Sequence, residues 1–112
     1  MIKRLQEAGV DVEASVNRFS GNEALYLRFI EKFRQDKTYS QLCEAHQKSD
    51  HDQLLTAAHT LKGVAANLGM NALSDACAGL VQKLRAGETG ALDEAYSKVV
   101  RQYEAIIGAI SG

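Results

Sequence analysis

An all-α fold, an antiparallel four-helix bundle with one or two additional short N-terminal helices, is predicted by three features of this 112-residue chain. Apolar residues recur at three- and four-residue spacing through nearly every segment, the signature of one-sided helices. No proline interrupts them, and no stretch alternates apolar and polar residues as a half-buried strand would. The breaks between periodic segments are only a few residues long, which makes successive helices antiparallel neighbours.

The elements follow in order. Residues 1–8 form a short lead-in helix that ends before Gly9. Asp11 caps a second short helix with Val12, Val16 and Phe19 at helical spacing, closed by Ser20-Gly21. Asn22 caps the next, whose Leu25, Phe29, Ile30 and Phe33 mark the buried side as far as about Gln35. Beyond Asp36-Lys37 the pattern resumes through Tyr39, Leu42, Cys43 and Ala45 to about Lys48. Ser49-Asp50 breaks it, and a long helix runs from about His51 to Leu68. Asn71 caps a helix that turns Leu73, Ala76, Cys77, Leu80 and Leu84 inward and ends near Gly87. The last helix starts at Gly90 or Ala91 and carries Leu92, Tyr96, Val99, Val100, Tyr103, Ile106 and Ile107. The whole chain, 1–112, is one domain, with short helices over about 1–20 and the bundle over about 22–110.

Composition narrows the function. A formal charge of −1 with scattered Lys and Arg gives no footprint for nucleic acid. No apolar run approaches the ~20 residues of a membrane span and no signal peptide is visible, so the expected compartment is the cytoplasm, without direct membrane contact. Cys43 and Cys77 stand alone, as small core residues, and suggest neither a disulfide framework nor a zinc site. His46 and His51 read as polar positions near a helix junction. His51 and His59 lie two turns apart and miss the spacing of a helical metal pair, so no metal ligand is assigned. The tyrosines Tyr26, Tyr39, Tyr96 and Tyr103 read as core or rim aromatics. The nine glycines never fall as G-x-G-x-x-G or as a Walker motif, so no nucleotide cofactor site is expected.

The informative segment is Ala58-His59-Thr60-Leu61-Lys62-Gly63-Val64-Ala65-Ala66-Asn67-Leu68-Gly69-Met70. At roughly 100° per residue, Leu54, Ala57, Ala58, Leu61, Ala65 and Leu68 collect on one side of the helix. His59 then lies about 140° from the centre of that stripe and Gly63 nearly opposite it. Lys62 sits on the flank one turn from His59, where its ammonium reaches the space above the imidazole. Glycine inside a helix costs about 1 kcal/mol relative to alanine, and an exposed position offers no packing to offset it. Gly63 therefore points to close approach by another backbone. Gly69 reads as the left-handed residue that ends the helix. Leu55 and Ala66 lie on the exposed flank with His59, where an exposed leucine beside a reactive group suits a docking surface. A free imidazole, with an unperturbed pKa of about 6.5, is a competent nucleophile near neutrality.

This segment resembles the signature of histidine-containing phosphotransfer (HPt) domains of bacterial-type two-component phosphorelays. In these a histidine is followed by Lys and Gly at the third and fourth positions and by a second Gly at the tenth, here Lys62, Gly63 and Gly69. The resemblance implies that His59 takes a phosphoryl group from a receiver-domain aspartyl phosphate and passes it to another receiver's aspartate. Lys62 would be the phosphoryl charge partner and Gly63 the access for the receiver. It implies a phosphocarrier and not an ATP-dependent kinase, with no cofactor of its own and Mg²⁺ supplied by the receiver. The implied partners are response-regulator receiver domains and a sensor histidine kinase, and a self-contained bundle is expected to be a monomer. Many such domains place a polar side chain on the following helix to orient the imidazole; the matching position here is Val81, with Gln82 one residue on, so the orienting residue stays open. Two other readings are a helical adaptor that binds a receiver or kinase without carrying phosphate, and a metal-binding bundle. For the latter, Glu44 and His46 have the wrong spacing.

Overall fold

The computed structural model describes residues 1–111. Seven α-helices follow one another: α1 (Ile2–Glu7), α2 (Val12–Arg18), α3 (Glu23–Gln35), α4 (Thr38–Gln47), α5 (His51–Asn67), α6 (Asn71–Ala86) and α7 (Leu92–Ser111). A single 3₁₀ turn, Thr89–Ala91, leads into α7, and no strand occurs among the described residues. The all-α reading holds, with two short helices before the bundle.

The helix ends follow from local chemistry. Asp11, Asn22 and Asp50 each cap the helix they precede, accepting from the backbone N–H of Ala14, Leu25 and Gln53. Gly69 and Gly87 take left-handed backbone, φ +77° and +71°, and close α5 and α6. At α6 the expected cap is corrected. The residue ahead of the helix is Met70, with no side-chain cap bond, and Asn71 is already helical. Burial of the Met70 side chain in the core holds that junction instead. Between α3 and α4, Asp36 adopts extended backbone and its carboxylate accepts from the Thr38 N–H at 2.7 Å, so one arm of the bundle is built in two pieces.

Helices α4, α5, α6 and α7 pack in sequence, α5 against both α4 and α6, and α7 against α6. The body is a rod of 41 × 23 × 21 Å. Its core joins Tyr26, Ile30 and Phe33 of α3, Leu42 of α4, Leu54 and Leu61 of α5, Leu73, Cys77 and Leu80 of α6, and Val99 and Ile106 of α7. Leu5 of α1 and Val12 of α2 enter the same cluster, so the N-terminal helices are part of one body. Aromatic stacking ties α4 to α7: Tyr39 lies on Tyr103 and His46 on Tyr96, each with ring centroids 3.6 Å apart. Two sequence expectations need correction. Phe29 is 37% exposed, because Tyr26 fills the inward position on α3. Cys43 is half-buried, and only Cys77 is a fully enclosed thiol.

Candidate functional site

Three alanines and two leucines make α5's inner stripe: Leu54, Ala57, Ala58, Leu61 and Ala65 are all buried. Fixing that stripe inward sends the rest of the helix outward by geometry alone. His59, at the midpoint of α5, is exposed, and so are Gly63 and Ala66. Lys62 is half-buried on the flank toward α6, where its carbonyl accepts a 3.1 Å hydrogen bond from the Ser74 hydroxyl. A methyl group placed on Gly63 would meet nothing within 4 Å.

Leu55 is half-buried and packed against the core, less open than its place on the helix suggested. Val81 is enclosed in the core and Gln82 is exposed. Of the three histidines, only His46 is hydrogen-bonded among the described residues, its Nε2 lying 3.0 Å from Asp93 Oδ1. The imidazole of His59 is thus presented without a side-chain partner to fix its plane. No three His, Cys, Asp or Glu side chains converge as a metal site among the described residues. No helix there is long and apolar enough to cross a membrane.

The far end of α5 is held by residues whose part was not visible in the sequence. A helix leaves its last carbonyls without intrahelical donors. Here the Arg18 guanidinium donates to the carbonyls of Ala66 and Asn67 at 3.1 and 3.2 Å and to Ser15 Oγ at 3.1 Å. The Tyr26 hydroxyl donates to the Leu68 carbonyl at 2.9 Å. The Asp11 N–H donates to the Gly69 carbonyl at 2.9 Å. Gly69 has a second reason to be glycine, since any Cβ there would run into Ser15 Oγ and the Asp11 carbonyl. Nothing in the periodicity of residues 11–26 signals the bonds to α5's end, because each reaches a backbone carbonyl more than 40 positions away.

The architecture is that of a helical bundle with an exposed imidazole at the middle of one helix, a lysine one turn on and an open glycine beside it. The family model for the Hpt domain matches residues 25–110, and the chain belongs to that family. Its role therefore lies in histidine phosphotransfer within two-component phosphorelays. No curated protein and no solved structure matches the chain. Residues 1–24, which supply Arg18, Ser15 and the Asp11 backbone contact, lie outside the matched span.

Proposed function

We propose that this domain is a phosphorelay intermediate in which His59 is the residue that carries the phosphoryl group. The single observation behind the reading is the placement of His59: exposed at the centre of a helix otherwise committed to the core, with open space over Gly63 one turn on. A docked receiver's aspartyl phosphate would place its phosphorus in line with a ring nitrogen. The nitrogen lone pair forms the P–N bond as the P–O bond to the aspartyl carbonyl breaks, and that electron pair returns to the carboxylate. Transfer to a second receiver reverses the step. Such transfer asks mainly for in-line positioning and charge neutralisation. Lys62 supplies part of that charge, and Mg²⁺ belongs to the receiver. On this reading the domain has no ATP site and does not phosphorylate itself.

Incubation with a phosphorylated receiver should label the protein with an acid-labile, alkali-stable phosphate, and His59→Gln should abolish the label. Label retained in that variant would end the assignment to His59. Binding of receivers by wild type and variant alike, with no label in either, would be the behaviour of an adaptor.

A further inference from the structure

The outward face of α6 is low and follows a symmetric pattern. Its inner set, Leu73, Cys77, Leu80 and Val81, is buried, which puts Gly79 roughly 150° around the helix from the core. A Cβ on Gly79 would meet nothing within 4 Å. Residues equidistant from Gly79 match in pairs: Ala72 with Ala86, and Asp75 with Lys83. Ala72, Asp75 and Ala86 are exposed and Lys83 is half-buried. The same face continues into a groove of about 330 Å³, whose α6 wall runs from 75 to 83 and whose α7 wall runs from 91 to 98. A short turn joins the two helices, so they are antiparallel and the midpoints of the two walls lie side by side. Glu94 and Lys98 bracket the α7 midpoint to within about 2 Å. No residue of α1–α5 lines the groove.

We propose that a second copy of this chain docks on this face, α6 lying antiparallel on its counterpart across a two-fold axis at the level of Gly79. Such a contact must be self-complementary, each copy meeting at one end what it offers at the other. The axis sets Asp75 of each copy against Lys83 of the other and Ala72 against Ala86, while the paired glycines let the backbones approach. The same rotation lays α7 on α7 and brings Glu94 against Lys98. The remaining charges of these helices do not oppose the contact. Lys83 keeps Glu88 at 2.8 Å on the rim, so Asp75 joins an existing pair. Arg85 falls opposite Leu73, and Arg101 opposite Ala91. Asp93 is turned to His46 of α4, and Glu104 lies on that side too, toward Tyr39. Helix α6 is about 24 Å long and two helices side by side span about 20 Å, which gives roughly 500 Å² per copy. A total of about 1,000 Å² is the lower limit for a specific interface. The dimer is therefore weak, and the monomer expected from a self-contained core is its dissociated form. Helix α5 takes no part, so both His59 side chains stay open.

Sedimentation velocity on the full chain, at concentrations up to about 1 mM, tests this. The wild-type sedimentation coefficient should rise with concentration toward that of a dimer. Gly79→Arg, which fills the space at the axis, should stay monomeric with an unchanged far-ultraviolet circular dichroism spectrum. Asp75→Lys and Lys83→Asp should each weaken association at least tenfold, because each sets like charges opposite one another twice. An equimolar mixture of those two variants should recover it, since every charge at 75 and 83 then meets its opposite. A wild-type coefficient fixed at the monomer value, undiminished association in Gly79→Arg, or a mixture that associates no better than its components overturns the proposal. None of these outcomes bears on His59, whose labelling by a phosphorylated receiver is a separate measurement.

Discussion

Gly63 and Gly69 sit six positions apart and are glycine for opposite reasons. Gly63 is helical, exposed and empty-sided, so within this chain its missing side chain is a cost. Replacement by alanine should stabilise the fold by about 1 kcal/mol, read as a raised urea midpoint. Gly63→Glu should fold equally well yet accept phosphate from a receiver much more slowly, since its side chain would occupy the open space proposed for the docked partner. Gly69 has φ +77° and is pressed by Asp11 and Ser15. Gly69→Ala should cost about 2–4 kcal/mol, combining left-handed strain with overpacking, and lower the same midpoint. The sequence alone distinguishes the two in part: helical spacing places Gly63 outside and Gly69 at a terminus. The contact from Asp11, 58 positions earlier, was not readable.

At the level of elements, α5 was legible because its inner stripe is unbroken, whereas the inward set of α3 was misjudged at two positions: Leu25 is half-buried outside the core and Phe29 is exposed, while Tyr26 is buried. Tyr26 and Phe29 are both aromatic, lie three residues apart and fit the same face at helical spacing. The sequence does not say that the Tyr26 hydroxyl finds the Leu68 carbonyl and thereby takes the buried place. Helix α2 was expected as a short preliminary helix and proves to be the clasp on α5's last turn. Arg18→Ala should cost only about 1 kcal/mol of global stability, because those bonds are exposed. Locally the effect should be larger. Hydrogen exchange should quicken at Gly69 and Met70, whose N–H groups bond to the Ala66 and Ala65 carbonyls in the turn Arg18 covers. Unchanged exchange there would mean that Tyr26 and the Asp11 backbone hold the turn unaided.

For the molecule as a whole, the packing predicts an alkaline limit. Burial pushes the Tyr26 hydroxyl from 10.0 up to about 12 and the Cys77 thiol from 9.0 up to about 12. Burial also raises Tyr39, Tyr96 and Tyr103 on the α4–α7 side. These native values exceed those of the unfolded chain, so between them the native state holds protons that the unfolded state has released. The stability they provide is complete below about pH 9 and is lost as pH rises toward 12. Urea midpoints should therefore fall steeply between pH 9 and 11, and Cys77→Ala should delay the onset. A flat profile would show that these groups ionise without unfolding the bundle. The bundle class was visible in the spacing of apolar residues, but the stacking of His46 on Tyr96 and of Tyr39 on Tyr103 was not, since periodicity marks a face and not its neighbour.

Helix α1 lies along α7, whereas α5 packs between α4 and α6. A polypeptide joined at either terminus would thus leave from the flank across the bundle from His59. Tethering and phosphoryl exchange would then occupy separate sides of the rod, and the same fold could work untethered or strung within a longer chain without redesign of its reactive surface.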